Sequence, residues 1–171
     1  YAVGYDDSKW DMFPVPGLFE MNGYGDRIYV NVGYVWRNQF DNNPPFVEER
    51  NNYVGSYRQN FTIPADWKGE KVYIHIGSAT SNLKVWVNGK YVGYSEDSKM
   101  AAEFDITDYV EFGKPNLIAM QIMRWCDGSY LEDQDKFRTS GIFRDVYILK
   151  RPESHIRDYF VTNRLDGSDA T

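Results

Sequence analysis

Apolar and polar residues alternate along most of this chain with a period of two, which is typical of half-buried β-strands. The alternation is clearest at Val72, Ile74 and Ile76. No window shows the 3.6-residue period of an amphipathic helix. The pattern predicts strands over residues 27–33, 53–63, 72–76, 83–87, 90–94, 103–106, 116–125 and 145–150, with a further alternation at 156–162. Many short strands separated by turn residues indicate an all-β fold, a β-sandwich or jelly roll.

The most specific local signal is Asn88-Gly89, which lies between the alternating segments 83–87 and 90–94. Both central positions of a type I′ turn need positive φ, and Asn and Gly accept it most readily. The sequence therefore predicts a two-residue β-hairpin here.

The alternation stops between Arg124 and Asp145. A connection of this length in a compact domain is usually functional or disordered. This one contains large aromatic residues together with Asp127, Glu132, Asp133 and Asp135, and we interpret it as an ordered loop. Its acidic run on its own is typical of a solvated loop, and Asp133 with Asp135 could also form part of a cation-binding loop. Two arginines, Arg138 and Arg144, are expected to pair with these acids.

Charge and length exclude several classes of function. The 171 residues carry a net charge of −6, with a pI near 4.9. Nucleic-acid binders cluster Lys and Arg on one surface, and this sequence has no such cluster. No apolar segment approaches the roughly 20 residues that a membrane-spanning helix requires. We therefore expect neither nucleic acid nor a membrane as a partner.

Candidate chemistry is restricted to acids and aromatic side chains. The sequence has no P-loop, dinucleotide fingerprint, H-E-x-x-H, G-x-S-x-G or cysteine pair. The single cysteine, Cys126, is predicted to be a small buried hydrophobe, because His75 and His155 lie in predicted strands away from it. Aromatic residues make up 17% of the chain. Aromatic faces together with carboxylates and amides are the combination that sugar-binding sites use.

One long motif carries a family resemblance. The run R-W-C-D-G-S-Y-L-E-D-Q-D at residues 124–135 closely resembles the R-W-S-D-G-S-Y-L-E-D-Q-D motif of family 2 glycoside hydrolases of the β-galactosidase type. Cys126 stands for the usual serine, and Lys136-Phe137 for the more common Met-Trp. The resemblance spans about residues 12–152, and its other matching segments are 29–32, 43–47, 55–58, 85–90, 93–98, 103–105 and 140–146.

The resemblance implies a fold and a domain order. Residues 1–152 are expected to form the family's jelly-roll, or galactose-binding-like, sugar-binding domain, and residues 153–171 to begin an immunoglobulin-like domain. The two catalytic glutamates of such retaining enzymes lie on a later (β/α)₈ barrel, about 5–5.5 Å apart. We therefore expect a fragment of a longer protein that is inactive alone. The parent would hydrolyse terminal β-D-galactosides.

The resemblance also implies site residues. The last acid of the D-Q-D run, here Asp135, contacts galactose and helps to bind a monovalent cation, typically Na⁺. The amide of the Tyr-x-Asn-Val motif, here Asn31, lines the galactose pocket. Some relatives hold a structural divalent ion near the positions of Glu96 and Asp127, with further ligands from a segment that precedes this sequence. Mg²⁺ is accordingly expected in the full-length enzyme.

Several alternatives stay open at this point. β-Glucuronidases and β-mannosidases share the domain order, although they generally lack the long loop. A free-standing carbohydrate-binding module would need a complete site on this chain, and a purely structural β-sandwich would need none. The parent could be a homo-oligomer. No targeting segment is visible, and we expect a bacterial cytoplasm or periplasm.

Overall fold

The computed structural model describes residues 1–132, 135–167 and 169–170. Its strands are β1 (Gly17–Leu18), β2 (Ile28–Val30), β3 (Val54–Thr62), β4 (Lys71–Ile76), β5 (Leu83–Val87), β6 (Lys90–Ser95), β7 (Ala102–Asp105), β8 (Pro115–Met123), β9 (Lys136–Arg138), β10 (Gly141–Ile142), β11 (Val146–Arg151), β12 (Leu165–Asp166) and β13 (Asp169–Ala170). Its helical elements are the 3₁₀ turns Glu20–Asn22, Ala65–Trp67, Thr107–Tyr109 and Asp127–Tyr130.

Two antiparallel sheets form the sandwich. One has the strand order β3–β8–β5–β6 and the other β11–β4–β7. Strands β1 and β10 form a short pair, and β2 and β9 form a separate two-stranded ribbon. Because many strand neighbours are distant in sequence, the sheets can form only when long loops bring these segments together.

The main core fills the space between the two sheets. Alternate residues of β4, namely Val72, Ile74 and Ile76, are almost fully buried, and so are Leu83, Val85 and Val87 of β5. This is the period-two pattern of the sequence expressed as burial. Each such side chain contributes about 1.5–3 kcal/mol on leaving water.

A second, smaller core lies beside the sandwich. It is built on the buried residues Val35, Trp36 and Trp125. The Trp36 and Trp125 rings meet edge to face with their centroids 5.8 Å apart. Partly buried residues that pack against this aromatic cluster are Ile28, Tyr34, Phe40, Val47 and Tyr130. The cluster supports the ribbon that carries the candidate site.

The predicted all-β, jelly-roll class is confirmed, and most of the predicted strands lie within two residues of the observed ones. The hairpin is also confirmed, since Asn88 has φ of 50° and Gly89 has φ of 78°, and Val87 pairs with Lys90.

Two strand predictions differ from the structure. β2 ends at Val30, so Val32 is 64% exposed and does not continue an apolar face. Residues 156–162 form no strand although they alternate, and Phe160 is 90% exposed. A strand needs a neighbour for its backbone hydrogen bonds, and no described residue pairs with this segment.

The described part of the chain contains no helix that is both long and apolar enough to cross a membrane.

Candidate functional site

The two predicted sugar-binding residues flank the last pair of the ribbon. In the pairing of β2 with β9, Tyr29 lies opposite Phe137, and Val30 lies opposite Lys136. The pairing ends there. Asn31 directly follows Val30, and Asp135 directly precedes Lys136, so two residues that are distant in the sequence adjoin the same strand pair.

Tyr29 belongs to the same site. Tyr29 is the middle residue of β2 and lies two positions before Asn31. Its hydroxyl donates a hydrogen bond to Oδ1 of Asp135 at 2.8 Å. That bond and the negative charge of Asp135 raise the pKa of Tyr29 above its ordinary value. The bond fixes the direction of the carboxylate and uses only one of its two oxygens.

The outward face of the ribbon is an open aromatic and polar surface. Tyr29 is 57% exposed and Phe137 is 73% exposed, and their ring centroids are 5.3 Å apart. Asn31 and Asp135 are also exposed. Such a surface can contact the apolar face of a pyranose ring and accept or donate hydrogen bonds to its hydroxyls. Among Tyr29, Asn31, Asp135 and Phe137 only Asp135 is a carboxylate, whereas retaining hydrolysis needs two.

The loop that leads to Asp135 is anchored at its start by Asn52. The side chain of Asn52 accepts a hydrogen bond from the Trp125 amide at 2.9 Å and donates one to the Trp125 carbonyl at 3.0 Å. The amide side chain thereby imitates a neighbouring strand. Trp125 is only 3% exposed, so its backbone groups depend on this partner.

Further along, the loop is held by Tyr130 and Glu132. The Tyr130 hydroxyl donates to the Phe46 carbonyl at 2.8 Å and accepts from the Asn43 amide at 3.1 Å. Glu132 accepts a hydrogen bond from the Ser98 amide at 3.0 Å. These contacts hold residues 125–132 of the predicted loop against the rest of the domain.

The predicted pairing of the two arginines with loop acids is wrong for Arg144. Its guanidinium donates to the backbone carbonyls of Lys99 at 2.7 Å and Gly77 at 3.4 Å. The guanidinium thus satisfies two backbone carbonyls instead of a carboxylate. Arg138 donates to the Val30 carbonyl at 3.3 Å, which joins the two strands of the ribbon. The alternative cation loop with Asp133 lies outside the described residues.

Glu96 and Asp127, the expected divalent-ion residues, lie together with Cys126. Donor atoms of the three side chains are all within 4.8 Å of one another. Burial raises the pKa of Glu96, and the nearby Asp127 carboxylate raises it further, although a hydrogen bond from Tyr94 opposes this. Two close carboxylates repel each other unless a proton or cation lies between them.

The donor set fits a hard cation through its oxygens. Mg²⁺ commonly binds one or two carboxylates and keeps several waters. The Cys126 thiol is 7% exposed and donates to the Ser81 carbonyl at 3.6 Å. Burial also raises the pKa of this thiol, which disfavours the thiolate that a metal would need. Glu96 and Asp127 therefore provide the suitable ligands. Cys126 is the small buried residue that the sequence predicts.

Reasoning from the sequence did not identify Tyr29, Asn52 or Tyr130 as parts of the site. For Tyr29 a signal was present, because the predicted strand over residues 27–33 would place Tyr29 and Asn31 on one face. Asn52 gave no comparable signal, since its role depends on a backbone segment 73 residues away.

Comparison with known proteins identifies the family. The family model described as glycosyl hydrolases family 2, sugar binding domain, matches residues 5–152. The chain belongs to this family. A β-galactosidase of Priestia megaterium is 45% identical over 168 residues, which are 98% of this chain and 16% of that protein. A β-galactosidase of Vibrio vulnificus is 45% identical over 164 residues, 95% of this chain and 15% of the relative. The chain thus spans about one-sixth of the length of these curated relatives.

Solved structures show the same fold. A β-glucuronidase of Bacteroides uniformis superimposes with a TM-score of 0.67 at 23% identity, covering 88% of this chain and 16% of that one. A β-glycosidase of Bacteroides vulgatus has a TM-score of 0.61 at 28% identity, covering 87% of this chain and 17% of the other. A protein named for glucuronides therefore shares the fold of this chain.

Proposed function

We propose that this family 2 sugar binding domain is the N-terminal part of a retaining β-galactosidase that hydrolyses terminal β-D-galactosides. The observation that carries the proposal is the hydrogen bond from Tyr29 to Asp135 beside the exposed Tyr29 and Phe137 rings of the ribbon. The β-galactosidase relatives, at 45% identity, support this substrate class over the β-glucuronidase and β-mannosidase alternatives.

In this proposal the domain completes a pocket whose reacting groups lie elsewhere. The two catalytic glutamates belong to a (β/α)₈ barrel outside residues 1–171. Asp135 accepts hydrogen bonds from galactose hydroxyls and helps to bind Na⁺, while Asn31 offers both a donor and an acceptor to the sugar. Tyr29 holds the Asp135 carboxylate in place through the 2.8 Å bond.

A second cation has a structural role in this proposal. Mg²⁺ would bind Glu96 and Asp127, which lie within 4.8 Å of each other through their carboxylate oxygens. It would stabilise the connection between the end of β6 and the start of the loop that carries Asp135. It supplies no chemistry to the sugar.

The domain order is part of the same proposal. Residues 1–152 form the sugar-binding domain, and residues 153–171 begin an immunoglobulin-like domain. The lack of strand pairing at 156–162, together with the exposure of Ile156 and Phe160, is consistent with a segment that pairs within a following domain.

The test is an Asp135→Ala substitution in the complete polypeptide that contains this domain. We expect kcat/KM for a nitrophenyl β-galactoside to fall about 10- to 100-fold, because a charged hydrogen-bond partner is worth about 1.5–3 kcal/mol. The dependence of the rate on Na⁺ should weaken at the same time. The matched control is Asp66→Ala, which removes a carboxylate from an exposed 3₁₀ turn. Unchanged turnover and Na⁺ dependence in Asp135→Ala would refute the assignment.

The free-standing module makes a different prediction. The exposed Tyr29 and Phe137 rings are the feature that favours it, since lectin-like sites use such surfaces. If half of the pocket lies on the barrel, the chain of residues 1–171 should show no galactose binding in calorimetry at millimolar sugar. Saturable binding that is lost in Tyr29→Ala would instead support a self-contained carbohydrate-binding module.

A further inference from the structure

An apolar cleft runs along one open side of the sandwich. Its volume is about 500 Å³ and it lies between β3 of one sheet and β11 of the other. Consecutive residues of both strands line it, so it follows their backbone edges as well as their inward side chains. Its floor is formed by core residues, including Ile74 of β4 and Met120 of β8.

The hydrogen-bond pattern shows which backbone groups of β11 face the open side. The Gly77 amide donates to the Asp145 carbonyl at 3.0 Å, so this pair is hydrogen-bonded. Bonded and non-bonded pairs alternate in an antiparallel ladder. Residues 147, 149 and 151 therefore bond to β4, and the backbone groups of Val146, Ile148 and Lys150 point away from it. β11 is the edge of its sheet, and no described residue pairs with these groups.

The side chains beside this edge also lack cover. Val146 and Ile148 belong to the inward face of β11 but are only half-buried, whereas their partners on β4, Ile76 and Ile74, are fully buried. The Tyr57 hydroxyl on the opposite strand is buried without a hydrogen-bond partner in the described structure. Edges with free donors and acceptors beside apolar surface are sites where another strand adds.

We propose that one more β-strand pairs with the free edge of β11 and closes the cleft, and that it comes from a part of the polypeptide outside residues 1–171. Its backbone would bond to Val146, Ile148 and Lys150. Its inward positions would be apolar residues spaced two apart, facing Ile74 and Met120, because a strand presents alternate side chains to one face.

Several observations favour a strand of the same polypeptide as the occupant. The chain corresponds to about 16% of the length of its relatives, so most of such a polypeptide lies outside the structure. The other sheet has four strands and this one has three, so a fourth strand would make the two layers equal. A second copy paired through its own β11 would extend the sheet but bring another open cleft with it. The proposal does not depend on the identity of the substrate.

Residue-resolved amide hydrogen exchange tests the proposal on the chain of residues 1–171 and on the complete gene product. In the shorter chain the amides of Val146, Ile148 and Lys150 should exchange rapidly, while those of Tyr147 and Leu149 are protected by β4. In the complete product the first three amides should exchange at least about 100-fold more slowly. Equal rates in the two proteins would overturn the proposal. Protection that appears in the shorter chain only at high concentration would assign the edge to a second copy and also overturn it.

A pair of substitutions provides an independent measurement. Ile148→Lys places a charge at an inward position of the edge, and Tyr147→Lys places one on the outward face, where Tyr147 is 48% exposed. In residues 1–171 the lysine of the first variant can extend through the open cleft into water, so both variants should have similar Tm values. In the complete product, Ile148→Lys should lower Tm by at least about 5 °C more than Tyr147→Lys. An equal shift of both variants there would contradict closure of the cleft.

Discussion

The anchor of the site loop on Asn52 gives a prediction whose size follows from the structure. In Asn52→Ala both side-chain hydrogen bonds to Trp125 are lost, at 2.9 Å and 3.0 Å. The amide and carbonyl of Trp125 stay where they are, because the residue is 3% exposed and packed against Trp36. The substitution therefore leaves two buried backbone groups without partners.

Each unsatisfied buried polar group costs about 1–3 kcal/mol, and water can reach Asn52 in part, so we expect a loss of about 2–4 kcal/mol in the free energy of unfolding. That is a large share of the roughly 5–15 kcal/mol typical of a domain. Urea unfolding followed by tryptophan fluorescence measures this loss of unfolding free energy, because Trp36 and Trp125 lie next to the substituted side chain. Asn52→Asp keeps the acceptor and loses the donor, and should fall between the wild type and Asn52→Ala.

Asn60→Ala is the matched control, since Asn60 lies exposed on β3 and its side chain anchors no buried backbone. Its effect should remain within about 0.5 kcal/mol. If Asn52→Ala also stayed within that range, the two bonds would not anchor the loop, and the reasoning would be refuted. Such a result would mean that the Trp36 and Trp125 contacts alone hold the loop.

Three further predictions address the ribbon, the sheet surface and the β1–β10 pair. Asp135→Ala should lower the pKa of Tyr29 towards its ordinary value, seen by NMR titration of the Tyr29 ring; an unchanged pKa would show that the bond is absent in solution. A hydrogen bond from Arg151 lowers the pKa of Glu103. The ionised Glu103 therefore stabilises the fold at pH values above the ordinary carboxyl pKa of about 4.3, and this stabilisation is lost as the pH falls through the lowered pKa. The stability difference between wild type and Glu103→Gln in urea unfolding should accordingly shrink between about pH 5 and pH 3, and a constant difference would contradict this. Gly141→Ala combines φ of 120° with a carbonyl oxygen 2.6 Å from the new Cβ, whereas the control Gly69→Ala has φ of 101° and open space. We expect Gly141→Ala to be the more destabilising by at least about 1–3 kcal/mol in thermal unfolding.

The fold was predictable where a short segment determines its own structure. Strands β4 and β5 can be predicted from the alternation of apolar and polar residues alone. The turn at Asn88-Gly89 can be predicted from the positive φ that these two residues accept. The segment 156–162 shows the limit of this reasoning. It has the same alternation but no partner among the described residues, and pairing is not encoded in the pattern of one strand.

The site was predictable in part, for a different reason. Asn31 and Asp135 were named through a family resemblance, and their own local sequence gives neither of them a role. The pairing of β2 with β9, which their local sequence does not encode, ends at the residues next to them and joins segments more than 100 residues apart. The assignment of Arg144 to the loop acids failed because charge alone suggested a carboxylate partner. Backbone carbonyls of Lys99 and Gly77, invisible in the sequence, take that place.

The ribbon of β2 and β9 stands on its own aromatic cluster, apart from the core between the two sheets. Substitutions on its outward face therefore remove little of the apolar burial that stabilises the sandwich. Over evolutionary time, such a ribbon can change its side chains while the fold beneath persists. For protein engineering, that separation marks Tyr29, Asn31 and Phe137 as positions where side chains can be varied at small cost in folding.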